Sequence, residues 1–433
     1  MSKIDRSKLQ HGIFYNRKPF KSRHTPSRIK FNDSFALIFL KITKRDSLDR
    51  VEQTLIRLWE MYKNLKTGCL DSLPNYPFPS GDLSILISFG PNIFNIENIK
   101  KKIPRDFKDR QFLPFRKGAP IAHDSEIPYS YDLGENVGLS EDIAIQFISR
   151  TQLAVYRAIV ETRRLLGNES NNTLILSRIY TGFQRDDGRS WLGFHDEVSN
   201  MANSKERLNA IVIDRTNNRL VPQDFWTIGG TYLAFLRIEI NTDIWNNIER
   251  RYQELMIGRD KTTGIPLVGV DKNGNPLLKE NCTTAYNVQG FEKDFHEHPD
   301  YFKPPVSTGV NSDIDFHASS RLSQSHIGRT RHIDNIDSKH PDSRRIYRQG
   351  FEFFEPLYDR PEKPFRLGLN FISFQNDPAR LFFILTHPDW MGNSSFGGPP
   401  NQGGLHKLFS VLAAGFFFVP PLQDPFPGVD LLK

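Results

Sequence analysis

The chain has 433 residues, of which 38% are apolar, so it can form two ordinary domains or one large duplicated fold with a substantial core. Its two cysteines, Cys69 and Cys282, are too few for a disulfide scaffold or for a cysteine-held zinc or iron–sulfur site. No apolar run approaches the roughly 18 residues that span a bilayer, and the N-terminus lacks the apolar core of a signal peptide. We therefore expect a soluble, cytoplasmic protein with no membrane partner.

The net charge of +7 is concentrated at the N-terminus. Residues 1–30 hold nine lysines or arginines and one acid, so the remaining chain is close to neutral. A basic arm can contact nucleic acid or an acidic surface. Nothing else in the chain interleaves aromatic residues with a basic groove, so we favour a solvated extension over nucleic-acid binding.

The first half of the chain after this arm predicts three strands and two helices. Apolar runs and period-2 patterns predict strands, and apolar residues at helical spacing predict helices. The predicted elements are a strand at Phe35–Ile42, a helix with Ser47 as its N-cap and apolar positions from Leu48 to Leu65, a strand at Leu83–Phe89, a helix at Ser140–Leu166 and a strand at 172–181. Residues 99–138 are rich in charge and proline and are interpreted as irregular.

The second half repeats the strand–helix–strand plan. The predicted elements are strands at Thr231–Ile240, Leu369–Phe374 and Gly415–Val419, and helices at Asp243–Met256 and Asp377–Leu385. Residues 258–330 read as a long irregular stretch, which in a compact domain is usually functional. We predict an α+β fold of two related units, residues 31–215 and 216–433, whose antiparallel sheets are covered by helices.

Among the twelve histidines, His326 stands out because the arginine-rich segment SRRIYRQGFEF follows it. Peroxide activation at a haem needs an iron ligand, a group that moves a proton between the two oxygens, and a fixed positive charge near the breaking bond. His326 is a candidate for the first of these and the arginines of the following segment for the third, and which arginine would serve stays open at this point. His296 and His298 are interpreted as a solvated loop, and a metal site built on them with nearby acids stays open as an alternative.

Several segments, taken together in this order, resemble those of the dye-decolourising (DyP-type) peroxidases. They are LQHGIFY (9–15), ISFGPNIF (87–94), LGFHDEVSNM (192–201), GGTYLAFLRIEINTDIW (229–245), MIGRDKTTGIPL (256–267), SHIGRTR (325–331), IYRQGF (346–351), GLNFISFQNDPARLFF (368–383) and GFFFVPP (415–421). The resemblance extends over most of the chain. It implies a duplication of two ferredoxin-like units, as in a dimeric α+β barrel, with the C-terminal unit holding the cofactor.

The resemblance also implies a haem b cofactor and a set of site residues. His326 would bind the iron, Asp196 would relay the peroxide proton, and Arg348 would stabilise charge during cleavage of the O–O bond. Leu369 and Phe371 alternate on one strand face, so both could line the peroxide side of the pocket, and a plain core role stays open as the alternative. The remaining candidates are Phe194 in the pocket, Arg329 paired with a haem propionate, and Asn376 or Asp377 orienting a pocket group. The implied partners are hydrogen peroxide and an organic reductant, and a homo-oligomer stays open.

Two positions depart from the family pattern. Glu197 stands where the family has the glycine of its Gly-x-x-Asp-Gly motif, and Gly328 stands where an arginine is common. A glutamate beside Asp196 adds a second carboxylate, and two close carboxylates can raise one pKa. The alternative function is therefore haem binding, storage or delivery with weak or lost peroxide turnover.

Overall fold

The computed structural model describes the parts of the chain that form its sheets and their neighbouring helices. The described residues are 9–10, 33–43, 48–70, 78–108, 135–136, 141–167, 173–185, 189–194, 204–215, 220–262, 264, 267–270, 273, 275–278, 325–326, 346–381 and 408–433.

The described residues form eleven strands, seven α-helices and two 3-10 helices. The strands are β1 (Ser34–Ile42), β2 (Ser84–Phe89), β3 (Glu135–Asn136), β4 (Ile143–Ser149), β5 (Leu174–Phe183), β6 (Thr231–Ile240), β7 (Leu267–Val270), β8 (Pro276–Leu278), β9 (Tyr347–Pro356), β10 (Phe365–Gln375) and β11 (Phe409–Val419). The helices are α1 (Leu48–Lys66), α2 (Arg105–Lys108), α3 (Gln152–Gly167), α4 (Ser204–Ile211), α5 (Thr242–Asn246), α6 (Arg250–Ile257) and α7 (Val429–Leu432), with 3-10 helices at Pro91–Asn95 and Pro222–Thr227.

The main sheet consists of two four-stranded antiparallel halves with the same topology. Its order is β2-β4-β1-β5-β9-β10-β6-β11-β3, and β2 also pairs with β11, so the eight long strands close into a ring. Numbered within its own half, each set of four strands has the order second, third, first, fourth. This is the duplicated ferredoxin-like α+β arrangement that the resemblance implies. The predicted boundary at residue 215 lies between β5 and β6 and stays a prediction.

The two halves meet at narrow seams, of which the β5–β9 seam has one register pair, Phe183 with Glu352. Asn370 Nδ2 donates to the Thr181 carbonyl across it at 2.9 Å, and Arg237 Nη1 donates to Asn370 Oδ1 at 2.6 Å. A Cβ at Gly182 would lie 2.7 Å from Asn370 Nδ2. The seam therefore depends on a residue without a side chain at 182 and on a buried amide at 370.

Aromatic and aliphatic side chains fill the inside of the ring. Phe35 and Phe351, one from each half, stack with their centroids 4.3 Å apart, and Phe39 contacts both Phe235 and Phe417. On the outer face of the N-terminal half, α1 and α3 cover the sheet, and the Tyr62 hydroxyl lies 2.7 Å from Thr162 Oγ1. Burial raises the pKa of that hydroxyl.

The predicted helix at Ser140–Leu166 was wrong in its first part. Residues Ile143–Ser149 form β4, and α3 begins only at Gln152. All seven residues of β4 are buried because one face packs inside the ring and the other lies under helices. A strand buried on both faces has no period-2 alternation, so its apolar run merges with the pattern of the following helix.

The second half also differs from its prediction in two elements. Strand β9 was not predicted, and the helix predicted at Asp243–Met256 is two short helices, α5 and α6. Asn241 caps α5 by accepting from the Ile244 N–H at 3.1 Å. Among the helices of the described residues, none combines the length and apolar character needed to cross a bilayer.

Replacing Gly368 with alanine is expected to destabilise the C-terminal half by about 3 kcal/mol, since forced overpacking costs this order of energy. Its Cβ would lie 1.9 Å from the Ile238 carbonyl oxygen, on the backbone of the paired strand β6. Gly167→Ala is the control, because among the described residues its Cβ would meet only the far end of the Arg163 side chain, at 3.4 Å. Denaturant unfolding of both variants checks this, and equal midpoints would contradict it.

Candidate functional site

Three of the predicted site residues lie on one face of two neighbouring strands. In the register of β9 with β10, Arg348 is directly opposite Ser373, and Gly350 is opposite Phe371. Side chains two residues apart on a strand point to the same side. Leu369, Phe371 and Arg348 therefore share the outward face of the C-terminal sheet, and the structure brings them together.

Strand β6 extends this face into an apolar wall. Leu236 is opposite Phe371 and Ile238 is opposite Leu369. Leu236 is buried, whereas Ile238, Leu369 and Phe371 are only partly buried, so the wall keeps accessible apolar surface. Such a surface suits a flat apolar ligand and costs stability when left in water.

The polar side chains at one end of the wall, Ser373 and Gln375, have hydrogen-bond partners within the sheet. Ser373 Oγ lies 2.9 Å from Gln375 Oε1, and Gln375 Nε2 donates to the Tyr232 carbonyl at 3.0 Å. Arg348 is opposite Ser373, so it lies at this end of the face beside the hydrogen-bonded pair of neutral side chains. Its guanidinium places a positive charge at this end of the wall.

Phe194 lies in a small apolar cluster at the other end of the wall. The cluster also contains Leu192, Trp245 and Leu367, and the Phe194 and Trp245 rings meet edge to face at 6.2 Å. Leu367 is two residues before Leu369 on the same strand face. Phe194 is thus connected to the wall through Leu367, and its side chain is 4% exposed.

Replacing Trp245 with phenylalanine is expected to lower the free energy of unfolding by about 1–2 kcal/mol more than the same replacement of Trp226. The Trp245 indole N–H donates to the buried Leu192 carbonyl at 3.0 Å. The indole nitrogen of Trp226 is also buried but has no hydrogen-bond partner within the part of the chain that the structure describes. Trp226→Phe therefore controls for lost packing. Thermal unfolding compares the two, and equal losses would remove the hydrogen bond as a stabilising contact.

The other predicted site residues are placed only in part. His326 is partly buried and follows the fully buried Ser325, and these two are the described residues between 279 and 345. Asp196 and Arg329 lie outside the described residues, as do the two departures, Glu197 and Gly328. Their roles stay predictions from the resemblance.

Asn376 and Asp377 have local structural contacts. The Asn376 N–H and side chain donate to carbonyls of α4, at Ala210 and Asn209, and Asp377 Oδ1 accepts from the Ala379 N–H at 2.8 Å. These bonds attach the end of β10 to α4 and start the next helical turn. Within the described ranges, no group of three histidine, cysteine or acidic side chains could hold a metal ion. His296 and His298 lie outside those ranges.

Sequence reasoning missed the residues that hold the segment before Asp196, namely Arg189, Trp245 and Lys261. Arg189 donates to three backbone carbonyls, and Lys261 lies over the Phe194 ring. The only signal was the segment MIGRDKTTGIPL, which the resemblance singled out without a role for its lysine. Backbone-directed bonds leave no pattern of their own in a sequence.

Comparison with known proteins identifies the family. The family model described as "Dyp-type peroxidase, C-terminal" matches residues 187–424, which is more than half of the chain. The chain belongs to the DyP-type peroxidase family. The matched range contains every site residue predicted above, including Asp196, His326 and Arg348.

Individual members of the family are distant in sequence but similar in fold. A deferrochelatase of Escherichia coli O157:H7 is 24% identical over 230 residues, which cover 53% of this chain and 42% of the relative, so the match spans less than half of that protein. A structure of DtpA from Streptomyces lividans aligns at TM-score 0.62 and 17% identity over 95% of this chain and 96% of the other. A DypB variant from Rhodococcus jostii RHA1 in complex with haem aligns at TM-score 0.54 and 16% identity, over 89% and 92%.

Proposed function

We propose that this chain is a haem-dependent peroxidase that reduces hydrogen peroxide and oxidises an organic donor in one-electron steps. The observation that carries the proposal is the shared sheet face of Arg348, Leu369 and Phe371. A fixed cation beside an accessible apolar wall is what peroxide cleavage at a flat cofactor requires of a protein. Membership of the DyP-type family supports the same reading.

The described residues fit a haem. The wall offers partly buried aliphatic and aromatic side chains, and the chain supplies a partly buried imidazole at His326. Neutral imidazole is a common axial ligand of haem iron. The haem-bound DypB structure has the same fold, which supports haem as the cofactor here. When bound, haem supplies the oxidising chemistry.

The chain's own residues would divide the remaining work. His326 would hold the iron through one ring nitrogen. The carboxylate of Asp196 would take a proton from one peroxide oxygen and return it to the other. The guanidinium of Arg348 would stabilise the negative charge on the departing oxygen, and Leu369 and Phe371 would exclude water from the same space.

The test is rapid mixing of the purified, haem-loaded protein with hydrogen peroxide, followed by absorption spectroscopy. We expect the haem spectrum to change within milliseconds to seconds and to return when an organic donor is added. A spectrum that stays unchanged, with haem bound, would overturn the peroxidase proposal. It would support instead the alternative of haem binding without turnover, in which Glu197 disables the neighbouring Asp196.

A further inference from the structure

The segment Ser190–Phe194 forms a tight turn that ends two residues before Asp196. The Ser190 N–H donates to the Phe194 carbonyl at 2.9 Å, and the Gly193 N–H donates to the Ser190 carbonyl at 2.8 Å. Gly193 has φ of +84°, a conformation that favours glycine. Because His195 is the one residue between this turn and Asp196, the turn's placement constrains where the carboxylate can reach.

Arg189 fastens this turn to a second segment of the chain. Its Nη1 donates to the Gly193 carbonyl at 2.6 Å and to the Lys261 carbonyl at 2.6 Å. Its Nη2 donates to the Thr262 carbonyl at 2.9 Å. One guanidinium thus joins the turn to the segment at residues 261–262. Its planar set of N–H donors matches the three carbonyls.

The second segment is itself held rigidly. The Lys261 N–H donates to Glu254 Oε1 at 3.0 Å, and Arg250 Nε donates to the same oxygen at 2.8 Å. Gln253 Nε2 donates to the Trp245 carbonyl at 2.7 Å, and the Trp245 indole holds the Leu192 carbonyl of the turn. The turn is therefore fixed from two sides, by Arg189 and by Trp245.

The Lys261 side chain packs directly against the turn and its aromatic neighbours. A Cβ at Gly193 would lie 2.6 Å from Cε of Lys261, whose ammonium lies 5.7 Å from the centre of the Phe194 ring and 5.6 Å from that of Trp245. Desolvation by burial lowers the pKa of this ammonium, with the charge of Arg250 contributing in the same direction. The aromatic faces partly offset the cost of burying the charge.

We infer that Arg189 is a positioning residue for the peroxide reaction, acting through the 190–194 turn on Asp196. The inference rests on the proposed function and adds a residue to it. It follows from the three carbonyls that Arg189 joins and from the short connection to Asp196. A displacement of about 1 Å in a reacting group can cost about 100-fold in rate, so a clamp of this kind bears directly on turnover.

The experiment compares Arg189→Lys with Arg150→Lys in the haem-loaded protein. Lysine keeps the charge of Arg189 but cannot satisfy three carbonyls from one plane. Arg150 directly follows β4 and forms an ion pair with Asp82 at 3.2 Å. We expect Arg189→Lys to slow the reaction with peroxide by about 10-fold to 100-fold while the haem affinity stays unchanged. Arg150→Lys should react like the unmodified protein.

A double-mutant cycle with Asp196→Asn separates positioning from general weakening of the fold. If Arg189 acts through Asp196, Arg189→Lys slows peroxide reduction only when Asp196 is present. An equal slowing in both backgrounds would overturn the inference, and so would an unchanged rate in Arg189→Lys. If that variant does not fold, Trp245→Phe releases the turn from its other side and should show the same dependence on Asp196. An unmodified protein that fails to react with peroxide would sink the proposed function itself, before any variant is compared.

Discussion

Replacing His326 with alanine is expected to weaken haem binding by more than about 100-fold, since loss of even an outer-shell partner of a metal ligand costs 10-fold to 100-fold. The apolar wall of β6 and β10 would remain, so residual haem would bind without a fixed axial ligand. The measurement is a haem titration followed through the haem absorption band, with the apoprotein of each variant at the same concentration. Added imidazole should restore part of the spectrum, because it can occupy the ligand position left by the missing side chain.

The matched control is His332→Ala, six residues along the same segment. It removes an imidazole from the same charged stretch without touching the proposed ligand, so its haem affinity should equal that of the unmodified protein. Unchanged binding in His326→Ala would contradict the assignment and would direct attention to His296 and His298. Loss of binding in both variants would indicate instead that the segment as a whole is needed.

The strands that the sequence predicted best are those whose pattern is complete within the strand. The strand predicted at Thr231–Ile240 has the bounds that the structure gives β6, and Phe35–Ile42 differs from β1 by one residue. Each begins as a mostly apolar run, is interrupted by charged residues only near its end, and is bounded by polar or glycine residues, so its prediction needs no information from elsewhere in the chain. The two equivalent halves follow from such runs recurring in the same order with helices between them.

The elements that were missed depend on tertiary partners. Strand β9 contains two buried polar residues, Gln349 and Glu352. Polar residues are mostly exposed in proteins, so in a sequence they suggest a loop or a surface position. Gln349 Oε1 accepts from Gln146 Nε2 at 3.2 Å, across the inside of the ring. The partner is 203 residues away in sequence, so no local window could show that this polar side chain belongs to a strand.

In the candidate site, too, some features follow from local sequence patterns and others depend on tertiary partners. That Leu369 and Phe371 share a face follows from the period of a strand, and the sequence predicted it. Their alignment with Arg348 requires the register of β9 against β10, which no residue pattern within either strand specifies. The hydrogen bonds of Arg189 could not be predicted, because their acceptors are backbone carbonyls. One acceptor residue is 4 positions away in the sequence, and the other two are 72 and 73 positions away.

Replacing Arg348 with leucine is expected to slow the reaction with peroxide by about 100-fold to 1,000-fold and to leave haem affinity nearly unchanged. Leucine keeps much of the apolar stem on the sheet face and removes the fixed positive charge beside Phe371. Arg348→Lys should lie between the two, because a lysine keeps the charge and loses the planar fork. Stopped-flow mixing with peroxide, at several peroxide concentrations, gives the second-order rate for each variant.

Arg366→Leu is the matched control on the neighbouring strand. Arg366 pairs with Glu239, with 3.3 Å between Nε and Oε1, and it alternates with Leu367, so it points away from the face that carries Arg348. Both substitutions remove one positive charge from the same sheet, and long-range loss of charge would slow both variants alike. A slow Arg348→Leu beside an unaffected Arg366→Leu therefore assigns the effect to a charge at the wall itself. Equal rates in all variants would show that charge at this face does not assist cleavage, and the proton relay at Asp196 would then have to account for peroxide activation alone.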